Sequence, residues 1–325
     1  MVLPADKPAA PANPKPLPPA VRRVLARLWP WLIALAILAA LFARIPRQAL
    51  FHALKTGPWL SLGLYTWVQW LLVLTADSFA IRVSLAITGF REPFSRLVLA
   101  RGATYMLGLV NYALGQGSLG VYLQRSGVTA LRAAGTMIFL MTVNLGVLLV
   151  IAALGLWAGG SPQTAYLNLA PVFYGLGLGM ALYLAAVGWR PRALQDNQVL
   201  APLVQAGLRG HLRAAAARLP HLLLLVLAYW GALRLWGIPV PLAQGLALVP
   251  VVLFVNALPI TPLGLGTTQA ALVLLFSPFV PLPDPEVQAA VVLAFSLIYY
   301  VCGIVAQALI GLWCFQKIRA GAGKG

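Results

Sequence analysis

The sequence predicts an all-α polytopic membrane protein of about six to eight transmembrane helices, with two broken or re-entrant segments in an inverted-repeat-like arrangement. Three observations predict it. The 325 residues are 61% hydrophobic and 9% charged, with a mean hydropathy of +0.87, whereas a soluble domain carries roughly a quarter charged residues. Positions 133–189 and 235–283 contain no Asp, Glu, Lys or Arg at all, and about 20 apolar residues suffice to cross a bilayer. Glycines and prolines then gather inside two otherwise apolar stretches, at 111–120 and 256–269, where a straight helix cannot run through them.

The elements follow in order. Residues 1–20 hold seven prolines, so 1–24 read as a disordered cytoplasmic tail. Arg22, Arg23 and Arg27 precede the apolar run 28–43 and make it a signal anchor with its N-terminus inside. A second span is expected over 56–76. Arg44, Arg47 and Lys55 then fall outside, against the usual bias of basic residues to cytoplasmic loops. The cationic segments 82–101, Arg125 with Arg132, 190–218 and 317–324 read as cytoplasmic, and 159–163 and 282–286 as external.

Parity is informative here. Arg101 and Arg125 come out on one side with only uncharged residues between them, so 102–124 should dip in and return. Arg234 and Asp284 likewise share a side. Between them, 242–255 and 268–278 are short for full crossings and could be a re-entrant hairpin or two short spans. Further spans are expected at 136–158, 167–189, 220–236 and 287–315, and 195–217 reads as a basic amphipathic helix on the inner surface. Residues 25–318 form a single integral membrane domain, and 319–325 a flexible cytoplasmic tail.

Composition also excludes chemistry. The net charge of +17 sits in short segments between apolar runs, which leaves too little soluble surface for a nucleic-acid interface. Six acidic residues, none paired within a span, argue against the clustered carboxylates of a metal-dependent intramembrane transferase. His52, His211 and His221 lack metal-ligand spacing. Cys302 and Cys314 lie about 18 Å apart along one helix, too far for a disulfide. No phosphate-binding Gly-x-x-x-x-Gly-Lys loop is present. No catalytic residues, metal site or cofactor are expected.

The run Asn111…Gly115-Gln116-Gly117-Ser118-Leu119-Gly120…Leu123-Gln124-Arg125-Ser126-Gly127-Val128, followed by an apolar span, resembles the lysylphosphatidylglycerol synthase transmembrane family. The later run Leu258-Pro259-Ile260-Thr261-Pro262-Leu263-Gly264-Leu265-Gly266-Thr267-Thr268-Gln269 resembles that family's Pro-Gly-Gly-x-Gly-x-x-Glu segment. Length, helix count and motif order agree over about 25–318. The resemblance implies a flippase-like, stand-alone membrane unit without the aminoacyl-transfer domain, hence no lysine transfer. The chain departs from the pattern at Gly117-Ser118, where the family often has Gly-Glu, at Gln269 in place of Glu, and around 140–144, where charged residues are neutral.

Two broken segments, one in each half and entered from opposite sides, are the pattern of transporters whose discontinuous helices build a midplane site. Irregular backbone survives at that depth only inside protein or against a wet cavity. The cavity candidates are therefore Asn111, Gly115, Gln116, Gly117, Arg234, Asn256, Pro259, Thr261, Pro262, Gly264, Gly266 and Gln269. The alternative reading of the glycines and prolines is plain helix breaking. Arg101, Arg125 and Arg132 are candidates for anionic lipids, with topology determination as the competing explanation. Asp77 is placed at the end of the second span, able to pair with Arg82 or Arg101 or simply to sit in interfacial water. Arg234 could grip a phosphate or snorkel beside Trp230. Tyr299, Tyr300 and Gln307 read as packing groups.

The expected function is binding and translocation of a polar, anionic or isoprenoid-type lipid between leaflets, in a bacterial-type inner membrane with both termini cytoplasmic. The membrane lipid is the expected partner, and oligomeric state is left open. A non-transporting scaffold of a lipid or glycan assembly complex, or an intramembrane transferase, are the alternatives.

Overall fold

A computed structural model describes residues 19–109, 112–159, 170–189, 196–258 and 260–322. Its described secondary structure is helical throughout. In chain order the helices are α1 (Pro19–Arg44), α2 (Arg47–Thr56), α3 (Trp59–Ile87), α4 (Phe94–Gly108), α5 (Tyr112–Arg125), α6 (Ala130–Gly159), α7 (Ala170–Trp189), α8 (Ala201–Leu235), α9 (Leu242–Ala257), α10 (Thr267–Phe276) and α11 (Pro285–Ala322). Five are long and apolar enough to cross a membrane, or up to six if the bent pair α1–α2 is one span. The chain is thus an all-α multi-pass membrane protein. The proline-rich tail at 1–18, the loop 160–169 and the basic segment 190–195 lie outside the described residues.

Helix α3 is the axis on which the rest can be oriented. It stops at Gly89, whose φ of 94° closes the C-terminal turn, with Phe90 N–H bonded back to the Leu85 carbonyl. Helix α8 runs antiparallel to it: Tyr65 donates to the Ala228 carbonyl at 2.9 Å, and Gly210 packs against Ile87. Helix α11 runs parallel, since Tyr299 donates to Gln69 at 2.7 Å while Leu74 shares a cluster with Ile310 and Cys314.

Against that axis the two interrupted segments are helical hairpins entering from opposite ends. In the first, α4 turns back into α5. Leu97 near its start and Leu123 near its end share a cluster with Leu85 of α3 and Ala133 of α6, so its open end lies where α3 stops. At 15 residues α4 is about 22 Å long, short of a hydrocarbon core of roughly 30 Å. Gly108 and Gly115 cross where the limbs meet. In the second, α9 starts beside Trp230 near the end of α8, whose indole donates to the Val240 carbonyl at 2.9 Å. Helix α10 returns to Phe276 and Val280, in the same cluster as Trp236 and Phe295. Its open end therefore lies where α3 begins.

Three expectations are corrected. The second span is not 56–76: α3 runs on to Ile87, because Asp77 and the small residues after it pack inward and Arg82 projects outward. The basic stretch between the first spans is not a loop. It is α2, bent 99° from α1, with Leu50 and Ala53 buried and Arg47, His52 and Lys55 exposed. An amphipathic helix at that angle keeps its cations in water without a charged loop. Finally, no boundary separates a surface helix at 195–217 from a span at 220–236: α8 runs unbroken through Pro220, and its break lies earlier, at a kink on Gly207, whose φ is 58°.

A Cβ on Gly115 would lie 2.7 Å from Gly108 Cα, a backbone atom that cannot step aside. Gly115→Ala is expected to destabilise the protein by about 1–3 kcal/mol, read as thermal unfolding in detergent. Gly117→Ala, with open space around the added methyl, is expected to leave stability unchanged or slightly raised.

Candidate functional site

Both hairpin tips stop at the middle of α3 and share a cavity of about 340 Å³, at the small end of the range for ligand sites. Gly108, Leu109, Gly115 and Leu119 line it from the first hairpin, and Asn256, Ala257, Thr268, Gln269 and Leu272 from the second. Helices α3, α6, α8 and α11 supply the rest of the wall, including Gln69, Asn144, Tyr300 and Gln307.

The second tip is held by side chains standing in for missing helical bonds. Gly266 adopts a φ of 84°, which an L side chain resists, and its N–H donates to Gln269 Oε1 at 2.6 Å. Thr268 donates to Asn256 Oδ1 at 3.2 Å across the break. Thr261 and Thr267 hydroxyls meet at 3.1 Å, and Thr267 bonds the Gly264 carbonyl. Helix α1 closes over this turn, with Ala34 against Gly266. Gln269 is thus a capping residue as well as a wall residue.

The charged centre of the cavity is Asp77, 3% exposed. Its Oδ2 accepts from Arg101 Nε at 2.5 Å, and its Oδ1 accepts from Arg218 Nη1. Arg218 and His221 are 4% and 6% exposed, so these are not interfacial charges. His221 Nδ1 stands 3.3 Å from Arg218 Nη1. A guanidinium can only donate, so Nδ1 accepts and the ring's proton is on Nε2, 4.0 Å from Asp77. Arg101 also covers the Tyr105 ring at 5.6 Å. The carboxylate therefore ties α3, α4 and α8 together beside the cavity. Two guanidiniums thus face one carboxylate.

The placement of the sequence candidates divides. Gly115, Asn256 and Gln269 line the cavity. Thr261, Pro262, Gly264 and Gly266 form the second turn behind it. Asn111 and Pro259 lie outside the described residues, as does the Gln116 side chain, and Gly117 faces away in open space. Arg234 is not in the wall. It is exposed at the end of α8, over Trp230 at 5.4 Å and bonded to the Val240 carbonyl. Arg101 separates from Arg125 and Arg132, which are exposed at the open end of the first hairpin, Arg132 over Phe90. Asp77 pairs with Arg101 and not with Arg82. Tyr299, Tyr300 and Gln307, read as packing groups, are all wall residues.

Arg218 and His221 are not among the sequence candidates: a helix boundary at Pro220 leaves Arg218 with the basic surface, whereas α8 continues through Pro220 and buries both. The available signal was angular. Arg209 and Arg213 are one turn apart and share a face, whereas Arg218 lies five residues further, about 140° round the helix, and shares its own face with His221.

Among the described residues no cluster of three or more His, Cys, Asp or Glu side chains could hold a metal ion. No protein-family model matches the chain, and no curated protein matches it.

Removing Asp77 strands two guanidiniums in the interior. Asp77→Ala is expected to cost about 3–5 kcal/mol, against less than about 0.5 kcal/mol for the exposed Arg82→Ala; thermal unfolding of both variants in one detergent checks the difference.

Proposed function

We propose that this chain is a flippase-like membrane protein which binds the polar headgroup of a lipid in the central cavity and passes it between leaflets. The observation that carries the reading is the meeting of two oppositely inserted hairpins at one cavity half-way along α3, beside the buried Asp77. Each hairpin stands between the cavity and one end of the bundle, so tilting one at a time would open the cavity to one leaflet at a time. The cavity takes a headgroup while the acyl chains stay in lipid. In this reading α4–α5 and α9–α10 are the two members of an inverted repeat, and both are re-entrant. The family resemblance at 111–128 and 258–269 supports the same assignment to the lysylphosphatidylglycerol synthase transmembrane group.

Orientation follows from charge. The end where α3 stops carries Arg82, Arg91, Arg96, Arg125, Arg132, Arg209 and Arg213, and the opposite end carries Asp284 and Glu286 with fewer cations, Arg44, Arg47, Lys55 and Arg234. The first end is cytoplasmic by the positive-inside bias, with both termini on that side of a bacterial-type cell membrane. Arg47 and Lys55 stay outside on the interfacial helix α2, and Arg44 at the end of α1.

Reconstituted protein is expected to accelerate leaflet exchange of a fluorescent lipid in proteoliposomes, read by dithionite quenching. Leu145→Trp, which adds bulk at the cavity wall, is expected to bring exchange to background, whereas Arg234→Ala is expected to leave it unchanged. Folded, reconstituted protein without exchange of any lipid class would point instead to a scaffold.

A further inference from the structure

Three cations gather at the end of the bundle that the charge bias makes external. Arg44 closes α1, and Arg47 and Lys55 stand on α2, with uncharged runs on either side at 28–43 and 56–76. Among the described residues none of the three makes an ion pair or a ring contact. Arg234 at the same end is different, since it lies over Trp230 and bonds the Val240 carbonyl. Arg47, Phe51 and Lys55 follow at intervals of four and so share one face of α2. All three are exposed, Phe51 by 67%. A large apolar ring held out between two cations is the composition of a helix that lies against headgroups.

The helix is also held rigidly, which a plain linker would not need. Its other face is buried through Leu50 and Ala53, in the cluster that contains Trp236, Val280 and Phe295. Gly57 follows it against the Trp236 indole, where an added Cβ would overlap the ring. The Trp59 indole donates back to the Leu54 carbonyl at 2.5 Å. The protein thus fixes where the basic face points, and the 99° bend from α1 turns α2 across the direction of that span.

We infer that the exposed face of α2 is a docking surface for anionic phospholipid headgroups in the leaflet at that end. Arg47 and Lys55 take the phosphates, and Phe51 enters between them at the acyl boundary. Eight positions separate the two cations, about 12 Å along the axis, which is too far to grip one phosphate. They gather neighbouring headgroups instead. An acidic protein is the competing occupant, and area decides against it. Ten residues form a strip about 15 Å long and 10 Å wide, whereas a stable protein interface buries roughly 800 Å² per partner. The surface lies apart from the central cavity and does not depend on what the cavity carries.

The test uses the full chain in lipid nanodiscs, with Cys302 and Cys314 replaced by alanine and a fluorophore on Gln48→Cys, exposed beside Arg47. The probes are phosphatidylglycerol and phosphatidylcholine, each spin-labelled near the headgroup and added at the same low mole fraction. Quenching then reports the local concentration of each lipid. Phosphatidylglycerol is expected to be enriched about fivefold over phosphatidylcholine, the weight of roughly one cation at an anionic surface. The excess is expected to fall towards parity in high salt. Arg47→Gln combined with Lys55→Gln is expected to remove it, Arg47→Lys with Lys55→Arg to keep it, and Arg234→Ala to leave it unchanged. The substituted residues are exposed, so the variants keep the fold. Equal quenching by the two lipids in the wild-type residues at 47 and 55 overturns the inference, as does an excess that survives in the glutamine variant. A label quenched by neither lipid would overturn it as well, and would leave an acidic soluble partner for this face. Enrichment at α2 without leaflet exchange would keep the docking surface and remove the translocation reading.

Discussion

The shared carboxylate of Asp77 sets the level at which this structure is organised. Burying one acid among apolar helices is tolerable only with a partner, and here two guanidiniums from two other helices supply it. The consequence is geometric as well as electrostatic. Helix α4, too short to cross, is fixed by Arg101 at the depth where it turns back, and α8 is fixed by Arg218 at the same depth. The polar centre and the hairpin tips therefore coincide.

A second constraint explains why such tips are possible. A helix that stops inside a membrane leaves four N–H or four C=O groups without intrahelical partners, and lipid offers none. The second tip answers this with its own side chains: Gln269 caps Gly266, Thr267 bonds the Gly264 carbonyl, and Asn256 is bridged to Thr268. Glycine at 264 and 266 permits the left-handed turns between them. With backbone needs met locally, Asn144, Tyr300 and Gln307 are left in the cavity wall. A break that existed only to bend a helix would have no reason to sit opposite a second break.

Much of this was legible in the residues. Uncharged runs gave the membrane class, and Pro259, Pro262, Gly264 and Gly266 marked the second break; the parity argument for the first put Arg101 at the surface with Arg125, whereas it stands in the cavity wall beside Asp77. The charged centre was only half visible. Asp77 and Arg101 stood out, but ending the second span at Ala76, with the uncharged run, puts the acid at the span's end, whereas α3 continues to Ile87. A helix can carry an arginine outward, and this one runs on past Arg82 for another turn and a half. Arg218 was hidden for the opposite reason. It stands among surface arginines, and only the continuation of α8 through Pro220 turns it inward. Arg234 carried the chemistry expected of a site residue, yet its position at a helix end beside Trp230 makes it an anchor.

A water-filled cavity at mid-depth between the two hairpin tips is what translocation requires. Its most direct measurement places spin labels singly at Asn144 and Gln307, with Leu71 and Leu178 as lipid-facing references, in a chain whose Cys302 and Cys314 are replaced by alanine. Accessibility to a water-soluble nickel chelate is then compared with accessibility to oxygen in a bilayer. Labels at 144 and 307 are expected to favour the nickel chelate, and those at 71 and 178 oxygen. Oxygen preference at all four positions would mean that the two tips enclose no water, and the account would fail.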